Sequence, residues 1–397
     1  MAESRRDGCT LQAPGAYTAG YAKACGIDST LANNYIQHTR LGDPLLDPVM
    51  DDLADLDGTS LSRFIRAGIE HEDAELRLAP RSLRHFFEDA VGVPPWVDFQ
   101  SHAPAVRAFN LNAATMLVAF VAGVLIEGFS TLISKSFVTT GRVLTPESAR
   151  RRLMQNNRQL MEVFYPGGLD QDGDGWKKSM RVRFVHARVR HLIANSGAWD
   201  LDEYGTPISA AHMGLALTVF SMRLLDHAAR VGAVFNDEEQ AGVMHVWRYA
   251  GYIMGVPMGM LYEDREHARR IHTVAHVCEP PPQPDAATMA NALIGAIPLT
   301  AGIEGARQQR KVIKLAYRLS RALIGHELAD QLRFPRMSTV GSLFAFRAKQ
   351  KLQRRWQGRQ GVRFNNFEQL LDISVYDPPE ERYRLPDHYL SARSRPW

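Results

Sequence analysis

Apolar positions along this chain recur mostly at helical spacing, three and four residues apart. The pattern predicts long helices over residues 105–129, 146–164, 178–195 and 210–230, then 237–254, 265–276, 285–296 and 308–329. Ahead of them, "PLLDPVMDDLADL" from Pro44, "AGIEHEDAELRL" from Ala67 and "LRHFFEDAV" from Leu83 predict short helices broken by Gly or Pro. "PPWVDF" at Pro94 predicts a turn. No segment alternates clearly between apolar and polar residues, and no repeat is present, so the expectation is an all-α fold. "CEPPPQPD" at Cys278 is the one proline cluster; a helical pattern resumes directly after it. The expectation is therefore one domain over residues 1–397, with a loop at the prolines. The basic run from Phe346 reads as a solvated helix face, and the Pro-rich tail after Asp372 reads as irregular.

Composition narrows the function classes. With 47 basic and 43 acidic residues among 397, the surplus is too small for a large nucleic-acid footprint. The three cysteines, Cys9, Cys25 and Cys278, form no CxxC pair. That argues against a disulfide framework or a cysteine zinc site and favours a reducing compartment. Arg5-Arg6 is not followed by an apolar segment, so no signal peptide is read and a cytoplasmic location is expected. The most apolar run, Met116 to Ile126, has 11 residues where a membrane span needs roughly 18 or more. It reads as core, or as a wall of a substrate cavity. No transmembrane segment is expected.

Several motifs imitate chemistry without completing it. "DQDGDGWKKSMR" from Asp170 resembles a calcium loop, but Arg181 stands where the bidentate glutamate belongs, so a polar turn is expected. His272 and His276 are spaced for zinc, without the HExxH pattern or a third ligand at a set spacing; a surface pair is the plainer reading. GxSxG, GxGxxG and Walker loops are missing.

"GWKKSMRVRFVHARVRHLI" from Gly175 is more informative. At about 100° per residue, Val182, Val185, Val189, Leu192 and Ile193 gather on one stripe. His186 sits at its margin and His191 on roughly the opposite face, while Arg183 and Arg190 flank the stripe where they can meet carboxylates. A histidine beside an apolar stripe is more often a satisfied core residue than a ligand. A haem would suit this one: one axial nitrogen, an apolar macrocycle, and propionates that seek arginine.

"PGGL" at Pro166, "VRFVHARVRHLI" at Val182 and "WRYAGYIMGVP" at Trp247 resemble the latex-clearing proteins, the bacterial rubber oxygenases, and the wider oxygenase family around them. "GDPLLD" at Gly42, "FFEDAVGVPPWVDF" at Phe86, "TGRV" at Thr140 and "RALIGHELADQLRFPR" at Arg321 extend the likeness, which covers residues 42–336. The resemblance implies an all-α, globin-like bundle around one haem b, with His186 as proximal iron ligand and His191 structural. Arg183 and Arg152 would help hold the cofactor. On the distal side it implies catalytic roles for Arg152, Gln155 and Asn156: Arg152 stabilises negative charge as O2 is reduced, and the two amides donate hydrogen bonds to oxygen or substrate. The chain departs from the family pattern here. Asn156 stands in place of a threonine, Gln155 in place of a lysine, and "ISKSFVTTG" from Ile133 has no carboxylate.

The implied activity is oxidative cleavage of a C=C bond in an apolar alkene or isoprenoid-like small molecule, with O2 as co-substrate. A monomer is favoured. Hydroxylation or peroxide-dependent oxidation on the same scaffold is the alternative. A haem-binding sensor without turnover, an all-α interaction protein without haem, and a zinc hydrolase are more distant ones.

Overall fold

Capping chemistry fixes where the long helices begin. The computed structural model describes residues 9–90, 92–141, 145–348, 373–375 and 382–394. Eight long helices organise it: α1 His102–Ala119, α2 Pro146–Val163, α3 Asp174–Ala194, α4 Ala210–Thr218, α5 Asp237–Ile253, α6 Arg265–Cys278, α7 Pro284–Thr300 and α8 Ala306–Ile324. Reciprocal Thr145–Ser148 hydrogen bonds and a first-turn proline start α2. Asn236 and Glu239 do the same for α5, and the Asp264 carboxylate accepts from His267 N to open α6. Among the described residues every regular element is a helix, so the all-α expectation stands.

Differences from the periodicity lie at helix ends and wide turns. Helix α1 runs on through a π-helical turn, Phe120–Val124, into Leu125–Gly128; α4 does likewise through Val219–Arg223 into Leu224–Arg230. The two wide turns pack together, with Phe120 edge-on to Phe220 at 5.5 Å. The helix predicted over 308–329 breaks at Gly325, whose φ of +90° no helix can use, and restarts as His326–Gln331. Several helices went unpredicted, among them Thr18–Ala24, Ser29–Thr39, Gly58–Ile69 and Ile133–Thr139; the Asp28 carboxylate caps Ser29–Thr39.

Helix α5 lies along α1, while α2 is packed between α7 and α3. The buried residues form one contiguous cluster reaching from Tyr17 to Tyr383. The continuous helical stretch Phe99–Gly128 is long and apolar enough to cross a membrane, but it is mostly buried inside the protein, as a core helix is. Its Met116–Ile126 part packs in that core and does not wall the main cavity described below.

One expectation is corrected. The structure joins Cys9 to Cys25, because the first described residues fold back onto Thr18–Ala24; a spacing of 16 residues carries no such signal. The argument for a reducing compartment from unpaired cysteines therefore falls. The loop expected at the proline cluster is present, between Cys278 and Pro284. Its Glu279 is buried, accepting from Tyr35 Oη at 2.6 Å and from Leu132 N at 3.0 Å.

Candidate functional site

Helix α3 is buried on more than one side. Phe184, Ala187 and Ile193 pack into the core, while Val182, Val185, His186 and Val189 face a cavity of about 180 Å³. Phe129, Phe137 and Phe220 supply opposing apolar walls. The His186 ring opens onto this cavity, yet the surrounding protein keeps it from bulk water. Burial pushes its pKa down to about 3, and the positive charges of Arg190 and Arg152 act in the same direction. The imidazole is therefore neutral at physiological pH, the form a metal binds. Its Nδ1 is buried without a hydrogen-bond partner.

A carboxylate ladder from the "GDPLLDPVMD" segment holds α3 in register. Asp43 takes the Arg183 guanidinium in a two-pronged ion pair at 2.5 and 2.9 Å, Asp47 pairs with Arg190, and Asp51 meets His191 Nδ1 at 2.8 Å. The four-residue spacing of the three aspartates places one at each of these α3 cations. Gly255 permits the closest approach: at φ +84° its backbone suits glycine, and a Cβ there would sit 2.1 Å from Asp43 Oδ2. Arg183 does meet a carboxylate, but the protein's own. It is turned away from the cavity onto Asp43 and the Phe86 ring, which corrects its placement as a cofactor contact. His191 does not line the cavity; its Nδ1 meets Asp51 instead.

Across the cavity, α2 presents Arg152, Gln155 and Asn156, so the structure brings these three residues and His186 into one space. The Arg152 guanidinium lies over the Phe137 ring at 3.9 Å. Asn156 Nδ2 is a buried donor without a partner, and the neighbouring Gln159 amide is directed to Met254 Sδ at 3.2 Å.

Four further cations on the cavity wall escaped the sequence reading: Lys178, Arg181, Arg382 and Arg384. The first two stand eight and five residues before His186 on α3, and it is packing rather than helical spacing that brings them to the cavity. The other two belong to the tail read as irregular. That segment docks on the site: Arg188 donates to Pro386 O at 3.0 Å, Ser391 N to Thr140 O at 2.8 Å, and Arg181 lies over the Tyr383 ring. Five cationic residues and no carboxylate line the cavity among the described residues. Apolar walls, a cationic rim and one neutral partnerless imidazole match the donor set a haem requires.

Other candidate chemistry lies elsewhere. Burial alone would raise the Glu127 carboxyl, but His227 at 3.2 Å and the paired Arg223 guanidinium hold it well below the usual range. It faces a separate polar cavity shared with His272 and His276. Those two rings stack at 5.9 Å, and His272 Nδ1 lies 3.1 Å from Thr218 Oγ1. No group of three metal-ligating side chains occurs among the described residues. The glycines of the "PGGLDQDGDG" turn allow close backbone packing: a Cβ on Gly168 would meet Glu162 O at 2.0 Å. The basic run from Phe346 falls mostly outside the described residues.

Residues 107–355, more than half of the chain, match the family described as ER-bound oxygenase mpaB/B'/rubber oxygenase, catalytic domain. The chain is 26% identical over 186 residues to the rubber oxygenase of Streptomyces sp. (strain K30), spanning 45% of this chain and 44% of that protein. The match thus covers less than half the length of that relative. A solved structure of latex clearing protein LCP in the closed state superposes with a TM-score of 0.61 at 18% identity, covering 84% of this chain and 91% of that one. At that identity the likeness speaks for the fold.

Proposed function

Because the chain belongs to the mpaB and rubber oxygenase family, we propose that it is a haem b-dependent oxygenase that uses O2 to cleave a C=C bond of an apolar alkene or isoprenoid-like molecule into two carbonyl products. One observation carries this reading: His186 is a neutral imidazole with a partnerless ring nitrogen, set in an apolar cavity rimmed by cations. Bound there, haem b would supply the redox centre at which O2 is activated. His186 would hold the iron, and Lys178, Arg181, Arg382 and Arg384 are the residues available to the propionates. Arg152 holds a fixed positive charge where water is scarce, so it stabilises negative charge developing on oxygen; such preorganised groups contribute about 3–4 kcal/mol. Asn156 offers a donor to a carbonyl oxygen of the product. Apolar walls bind the hydrocarbon and exclude water.

One observation favours a second reading, hydroxylation or peroxide-dependent oxidation of a similar substrate. No carboxylate lines the cavity among the described residues, so cleavage would proceed without a carboxylate base.

The test is the visible spectrum of protein expressed with ample haem, beside His186→Ala and His186→Gly with added imidazole. A strong Soret band, lost in the alanine variant and restored by imidazole in the glycine variant, supports the assignment. A colourless wild type, or an unchanged band in His186→Ala, overturns it. Product masses from alkenes under labelled O2 then separate cleavage from hydroxylation.

A further inference from the structure

Helix α8 has a charge pattern that neither the cavity nor the core explains. From Gly305 to Ile324 it contains Arg307, Arg310, Lys311, Lys314, Arg318 and Arg321 and no acidic residue. At 3.6 residues per turn all six fall within a stripe roughly 100° wide. Arg321, at the buried end, pairs with Asp330. The other five have no acidic partner among the described residues, and four of them are exposed, with Arg318 half-buried. Glu304, just ahead of the helix, is the acid nearest in sequence. On a chain almost balanced in charge, an ordinary solvated helix face would mix both signs.

Directly beside this stripe, Val312, Leu315 and Leu319 form one wall of an apolar groove of about 700 Å³. Leu117 and Val118 of α1 form another, and Arg150 of α2 stands at its edge, with Glu147 one turn before it on that helix. Leu315 is 50% exposed. The groove is separate from the His186 cavity; no residue lines both.

We infer that this face docks on an anionic membrane surface, with the α8 stripe on the lipid phosphates and the groove beside it open to an acyl chain. Charge complementarity selects the partner. From Arg307 to Arg318 the stripe extends for roughly 16 Å at 1.5 Å per residue, which suits several headgroups rather than one focused phosphate. An amphipathic face with cations beside exposed apolar residues is the surface pattern of an interfacial helix. Such docking would bring the protein to the phase in which an apolar substrate dissolves. It does not depend on haem, so it stands or falls separately from the oxygenase reading.

The experiment is flotation of the full chain with vesicles of phosphatidylcholine alone, or with 30% phosphatidylglycerol, at 0.1 M salt. Wild type is expected to float with the anionic vesicles only. Each cation near the surface is worth about five-fold in partition, so K311Q/K314Q should bind about 25-fold more weakly. Leu315→Gln should weaken binding without changing charge. R77Q/R81Q, the same charge change at exposed arginines elsewhere, should bind as wild type. Circular dichroism of each variant confirms that it is folded. Equal losses in both double variants, equal binding to neutral vesicles, no flotation at all, or preference for a short RNA duplex over vesicles would each overturn the inference.

Discussion

His212 is deep inside the protein and His186 is half-buried on the cavity wall, and their surroundings differ in every respect that matters. His212 has Ser209 Oγ 3.2 Å from Nδ1, and Tyr17 Oη at 3.0 Å and Glu279 at 3.4 Å from Nε2. Burial would by itself raise Glu279, but His212 and hydrogen bonds from Tyr35 and Leu132 hold it below its ordinary range. The same burial, with the Glu279 charge nearby, pushes the Tyr17 and Tyr35 hydroxyls well up. His186 has no acid in contact, no partner at Nδ1, and cations nearby. Buried polar groups persist when satisfied. A satisfied histidine therefore reads as architecture, and an unsatisfied one facing a cavity reads as a place for something the chain does not itself provide.

The sharpest way to break that contrast is to remove one member from each region. Glu279→Ala leaves His212 and two tyrosine hydroxyls without their acceptor and should cost about 3–5 kcal/mol in urea unfolding. His186→Ala, measured on the haem-free protein, should change stability by about 1 kcal/mol or less, because no partner is orphaned and the cavity already exists. Equal losses at the two sites would end the distinction.

A smaller effect is expected where the architecture supports the site. Asp43→Asn keeps the shape but leaves the Arg183 charge buried without its counter-charge, at a cost of about 2–3 kcal/mol. Since Arg183 precedes His186 by one turn, the same variant should release haem faster than wild type in a transfer assay to an apo-globin. Unchanged release would show that the carboxylate ladder does not position His186.

The pH-dependent effect concerns His272, which lies between the two extremes with one hydroxyl neighbour. Burial lowers its pKa to about 4, with Glu127 opposing. Between its ordinary value of 6.5 and pH 4, the unfolded chain binds a proton that the folded one refuses. Stability must fall as pH drops through that window, by up to ~1.4 kcal/mol per pH unit for each such histidine. His102, also lowered to about 4, adds to the same slope. His272→Gln should reduce the slope by one proton's share; an unchanged slope would refute the assignment.

The sequence by itself determined most of the long helices and set His186 at the margin of an apolar stripe. Helical periodicity marked α2, α5 and the His186 face of α3, because a helix stripe depends on neighbours three and four residues away. Arg152, Gln155 and Asn156 on α2 were pointed to by the family resemblance and not by periodicity. Tertiary structure decided what those stripes meet. It spent Arg183 on Asp43, 140 residues earlier. It brought Arg382 and Arg384 from an unpatterned tail onto the cavity wall, and it turned a proline loop into the anchor for Glu279. Ion pairs and cavity walls join residues far apart in the chain. Periodicity reports which face is apolar; only packing reports what covers it.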